Sequence, residues 1–149
     1  MEVNQVIDLS VRYFHFVGIF IMFAALFGVH LLLRPQIDKQ TLKKLVVLDL
    51  VYGACALFVL AMGLALWLWV GKPSSFYNTN WILHLKVSLF VLVGIISVVP
   101  TLFFIKQRDL QAELIDVPKR IITIVRIELC MLVVIPLLAV LMAHGVGFG

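Results

Sequence analysis

Charged residues are scarce in this sequence. Only 13% of its 149 residues are Asp, Glu, Lys or Arg, against 63% hydrophobic, where soluble domains hold about a quarter charged. That shortage excludes an ordinary water-facing surface. Cysteine is nearly absent: Cys55 and Cys130 both fall inside apolar runs, which excludes a disulfide framework and reads as small packing residues. There is no Gly/Ser-rich linker, low-complexity tract or clear internal repeat, and a chain of this length makes a single domain, 1–149. Phosphate loop, nucleophile elbow and HExxH are all missing, so no soluble-enzyme motif is available.

What is present is apolar length. Four runs, about 11–33, 45–70, 81–105 and 121–144, each approach the ~20 residues that cross a bilayer, and the mean hydropathy is +1.13. Each span must be helical, because lipid offers its backbone no hydrogen-bond partner. The expected fold is therefore all-α, an integral membrane four-helix bundle. The leader MEVNQVIDLS holds Glu2 and Asp8 but no Lys or Arg, unlike a cleaved signal.

Loop charge sets the expected orientation. The first loop carries Arg34, Lys39, Lys43 and Lys44, and the third carries Lys106, Arg108, Lys119 and Arg120, whereas the middle loop has only Lys72. Short basic loops stay in the cytoplasm, so both termini are expected outside a bacterial inner membrane, with Trp67, Trp69, Tyr77 and Trp81 as an outer aromatic belt. The formal net charge of +4 is then a topology signal and requires no nucleic acid.

Ionisable groups inside spans are costly and invite a partner or a function. On that orientation Arg12, His15, His84, Lys86 and His144 fall in the outer half, and His30, Arg34, Asp49, Arg126 and Glu128 in the inner half. His15 and His30 are roughly 22 Å apart along one helix and only about 60° apart around it. That spacing resembles di-haem cytochromes b, but His30 has no histidine partner in its half, so two bis-histidine haems are excluded. His30, one turn from Arg34, reads as a cap at the helix end. His15 shares a stripe with Gly18, Met22 and Leu26, and the small residue one turn away leaves room for a planar group. Lys86 shares its stripe with Ser97, which argues for an inward direction; the alternative is snorkelling to the interface. Asp49 is expected to form a buried charge pair with Arg126. Glu128, two residues further, then points elsewhere, as a proton carrier or as a partner of Lys or Tyr. Pro100 and Pro136 are expected to kink their helices.

Two stretches, HFVGIFIMFAALF and WILHLKVSLFVL, resemble pieces of the HemJ-type protoporphyrinogen oxidases. Those are small four-helix membrane proteins that bind haem b and use a histidine of the first helix and a lysine of the third. The resemblance implies functional roles for His15 and Lys86. A fuller resemblance, carried by LDLVYG, VLAMG, GKPSSFY, VGIISVVPT and RIEL, is to a family of small bacterial predicted membrane proteins without an assigned function. The first loop's RP, the long GKPSSFYNTN loop and the fourth helix depart from the HemJ pattern. There is a looser likeness to copper-resistance D-like membrane proteins.

Three functions compete. The leading expectation is a haem b oxidoreductase or electron-transfer protein acting on an apolar or tetrapyrrole substrate with quinone. His15 would ligate iron, Lys86, His84 or His144 would sit opposite or bind propionates with Arg12, and Lys86 and Glu128 would serve catalysis. The second is a copper or zinc site built from His15, His84 and His144, since imidazole suits both metals. The third is a homo-oligomeric, accessory or assembly subunit that docks a membrane partner through Gly53, Ala56 and Gly63.

Overall fold

The computed structural model describes residues 3–70, 78–108 and 112–147. Four long helices carry the chain: α1 (Val3–Leu32), α2 (Lys39–Ala65), α3 (Trp81–Arg108) and α4 (Lys119–Ala143). Each is long and apolar enough to cross a membrane. α1 starts eight residues before the apolar run, because the leader has no Gly or Pro to stop a helix. Arg12 Nε donates to Asp8 Oδ2 across one turn at 2.8 Å, and Ser10 returns its hydroxyl to the Val6 carbonyl at 2.8 Å. α2 also begins early. The Asp38 side chain accepts from the Thr41 backbone N–H at 2.7 Å, closing the first turn as an N-cap does. At its far end α2 widens into a π-helical turn, Leu66–Val70. Helix continues through both Pro100 and Pro136.

Two short strands between the helices were not anticipated. β1 (Gln36–Asp38) pairs antiparallel with β2 (Leu114–Asp116), with Ile37 opposite Ile115. Val117 N–H donates to the Pro35 carbonyl at 2.9 Å and Gln36 Nε2 to Asp116 Oδ1 at 3.1 Å. Ile37 and Ile115 turn inward and are buried, so the pair closes one end of the bundle with an apolar plug. Both basic loops are therefore at the same end.

The opposite end gathers the start of α1, the π-helical turn and the end of α4. Asn80 is fully buried there. Its Oδ1 accepts from Ile82 N–H at 2.9 Å, and its Nδ2 donates to the Val146 carbonyl at 3.0 Å. This ties the tail behind α4 to the start of α3. Gly147 has φ +95°, and a Cβ on it would stand 2.5 Å from Asn80 Oδ1 and 2.8 Å from Ile82 Cγ1. Only glycine satisfies both the backbone and the space. Trp69 and Trp81 are exposed at this end, where the outer aromatic belt is expected; Tyr77 and Lys72 lie outside the described residues.

α1 packs chiefly on α2 and α3 on α4, and contacts between α2 and α3 and between α1 and α4 close the ring. α1 and α3 thus face each other across one diagonal, and α2 and α4 across the other. The interior holds Met22, Leu26 and Val29 of α1, Leu45 and Tyr52 of α2, Val93 and Phe104 of α3, and Val125 and Leu132 of α4. The exterior is apolar as well: Phe20, Leu50 and Leu57 are each 71% exposed. A helix apolar on every side belongs in lipid, and this exterior far exceeds the apolar patches of soluble monomers.

Candidate functional site

Polar side chains enter the interior at two levels. The first lies toward the end that holds the start of α1. His15 belongs to the α1 face that buries Gly18, Met22 and Leu26, and it is half-buried against α2. Its Nδ1 is shielded from solvent without a hydrogen bond, with the Val59 carbonyl as the ring's polar neighbour on the α2 backbone. Gly63 makes that approach feasible, since a Cβ there would stand 3.3 Å from His15 Cε1 and 3.9 Å from Nδ1. Lys86 of α3, half-buried, is the charged neighbour of His15. Ser97 on its stripe is half-buried and donates to its own helix, at Gly94 O, 2.8 Å away.

One expectation about this level is overturned. The space beside Gly18 is not left for a planar group: a Cβ at 18 would meet Val59 Cγ2 at 2.9 Å and Phe58 Cδ1 at 3.0 Å. The glycine admits α2, and the seam between α1 and α2 is closed there by aliphatic and aromatic packing.

The other outer-half candidates do not join His15. His84 is exposed; its Nε2 is 3.2 Å from the Asn78 carbonyl and its ring stands edge-on to Trp67 at 6.3 Å. Trp67 Nε1 in turn donates to Asn78 Oδ1 at 3.0 Å, so His84 belongs to the junction between α2 and α3. His144 is exposed at the C-terminal cap of α4. Arg12 holds Asp8. Among the described residues no three His, Cys, Asp or Glu side chains converge in a metal-holding group. The three-histidine copper or zinc site is therefore not assembled. The reason is register: His84 opens α3 two residues before Lys86, about 200° away around the helix. His30 occupies the last turn of α1, half-buried, with its ring 6.4 Å from that of Phe27.

The second level lies toward the strand pair. Glu128 of α4 is 0% exposed, and neither of its carboxyl oxygens makes a hydrogen bond. Its electrostatic neighbours are Asp49 and the buried Tyr52, both from α2, with the Thr101 side chain of α3 beside Asp49. The expected pair of Asp49 with Arg126 does not form: Arg126 is exposed, and the two make no ion pair. The inside of α4 is the row Ile121, Val125, Glu128, Leu132, spaced four, three and four. Glu128 occupies the core row and Arg126 is turned away from it. That four-three-four spacing is legible in the sequence itself. The proposed docking stripe of α2 also divides: Gly53 meets nothing within 4 Å, Ala56 is partly buried against the core, and Gly63 is against His15.

The fold and its exterior define a four-helix integral membrane protein with polar groups held at two depths. The chain belongs to the DUF2214 family, described as predicted membrane proteins, whose profile covers residues 7–147. No curated protein and no solved structure matches the chain.

Proposed function

We propose that this membrane protein works through the His15–Lys86 pair as a haem b protein in electron transfer or oxidation. The carrying observation is that Lys86 of α3 is the charged neighbour of His15 of α1 across the diagonal of the bundle. The donor set suits the group. His15 supplies an imidazole whose Nδ1 is packed against α2, which leaves Nε2 as the ligand nitrogen, and Lys86 supplies an amine beside it that can take and give a proton. The closed seam at Gly18 restricts the ring to the other sides of His15. When bound, haem would supply one-electron chemistry. The residues' own task is to hold it, keep water away and move protons.

In this reading an apolar or tetrapyrrole donor gives up two electrons and two protons, and a quinone in the lipid takes both. Lys86 is the proton-carrying group beside the iron ligand. The protein sits in the bacterial cell membrane with its basic loops inside. Cysteine labelling from outside should then reach a cysteine replacing Lys72 and spare one replacing Lys43; the reverse pattern inverts the orientation.

The experiment is an absorption spectrum of detergent-purified protein expressed with haem precursor. A Soret band that disappears in His15→Ala and survives in His30→Ala supports the reading. A colourless wild-type protein overturns it.

A further inference from the structure

The cluster around Glu128 has no part in the His15–Lys86 reading and stands without it. Glu128 is fully buried with both oxygens unpartnered, and its electrostatic neighbours are a second carboxyl group, Asp49, and a phenol, Tyr52. The surroundings supply no counter-ion among the described residues. α2 contributes Asp49 and Tyr52, α3 contributes Thr101, which does not titrate, and α1 covers the core with Met22, Leu26 and Val29. On α4 itself, Arg126 faces outward. His15 packs against Gly63, fourteen residues beyond Asp49 on α2, or about 21 Å further along the helix.

This placement follows from the architecture. An antiparallel strand pair has a local two-fold axis, here between Ile37 and Ile115. Asp49 follows Asp38 by eleven residues, and Glu128 follows Asp116 by twelve. The two carboxyl groups are thus carried to similar depth on diagonal helices.

Two ionised carboxylates in such a setting each carry a desolvation penalty of several kcal/mol, which is relieved by taking up protons or a cation. The layer's donors are all oxygen: two carboxyls, a phenol and an aliphatic hydroxyl. Hard donors of this kind select a small hard cation over a soft metal. A Ca²⁺ ion takes roughly six to eight oxygens and Mg²⁺ keeps a demanding octahedron, which this group reaches only if both carboxyls bind through both of their oxygens. One ionised carboxylate, with the other protonated, balances a single positive charge. We propose that Asp49, Tyr52, Thr101 and Glu128 form a site for one small monovalent cation, Na⁺ or a hydrated proton, reached past the half-buried Asp49.

The test uses the full-length protein in lipid nanodiscs at constant ionic strength, with N-methylglucamine replaced stepwise by Na⁺. Thermal stability and ²²Na⁺ binding are measured alongside infrared difference spectra across pH, covering both the protonated-carboxyl stretch and the broad continuum of a hydrated proton. Saturable ²²Na⁺ binding that raises Tm, and weakens tenfold or more in Glu128→Gln and Asp49→Asn, assigns the site to sodium. A broad infrared continuum that titrates with pH, ignores Na⁺ and disappears in Glu128→Gln assigns it to the hydrated proton, whereas a protonated-carboxyl band with neither this continuum nor Na⁺ binding shows only a neutral acid and overturns the proposal. Glu128→Gln preserves shape while removing the charge, and the wild-type titrations need no variant. If the wild type shows neither signal, or Glu128→Gln keeps both, the proposal fails. Saturable binding of Ca²⁺ or Mn²⁺ at Glu128 in place of either cation also overturns it.

Discussion

The two polar levels differ in chemistry and in how each meets its surroundings. The His15 level is built from nitrogen on the α1–α3 diagonal, with glycine at 63 making room for the ring. The Glu128 level is built from oxygen on the α2–α4 diagonal, and its central carboxyl is fully enclosed. One level brings together groups that can be neutral donors; the other brings together groups that repel when ionised. A bundle interior can thus hold opposite chemistries at two depths without pairing them, because about 20 Å of helix separates them.

The most severe way to break the comparison is to remove His15. His15→Ala should abolish haem absorbance and Lys86→Met should impair it, while Glu128→Gln leaves the band unchanged. Loss of the band in Glu128→Gln would mean that the two levels are one site.

A double-mutant cycle sharpens it next. Asp49→Asn and Glu128→Gln should be non-additive by about 1–3 kcal/mol, as expected for interacting neighbours. Asp49→Asn with Arg126→Gln should be additive within about 0.5 kcal/mol, measured by unfolding in detergent. Coupling between Asp49 and Arg126 instead would restore the charge pair that the helix register separates.

A smaller effect is expected at the far end, where the tail behind α4 is tied to the start of α3. Gly147→Ala introduces a side chain at positive φ and crowds Asn80, and should lower stability by more than about 1 kcal/mol. Tm should fall while the spectrum of the remaining folded protein is unchanged.

The smallest effect concerns Asp38. The hydrogen bond from Thr41 lowers its carboxyl pKa from the ordinary 3.8. A depressed folded-state value stabilises the fold above the unfolded value, and that contribution is lost as pH falls through the folded one. Asp38→Ala should slightly lower Tm near neutral pH and match wild type at strongly acid pH. A difference that persists in acid would assign Asp38 a role other than capping by its carboxylate.

Hydrophobic length alone determined the four helices, because a span in lipid has to satisfy its own backbone. The 81–105 and 121–144 runs correspond closely to α3 and α4, and the inward stripe of Gly18, Met22 and Leu26 was legible from helical spacing. The π-helical turn and the strand pair were not legible: three-residue strands carry too short a period, and their pairing joins loops that are distant in sequence. Tertiary structure also decided which charge faces which. Arg126 and Glu128 are two residues apart and about 200° apart around one helix, so only one of them can enter the core. Local sequence supplies both candidates, but the packing of α4 against its neighbours selects Glu128 and leaves Arg126 outside. The same packing filled the space beside Gly18 with Phe58 and Val59 and brought His15 against Gly63, because a glycine permits close approach without specifying what will approach it.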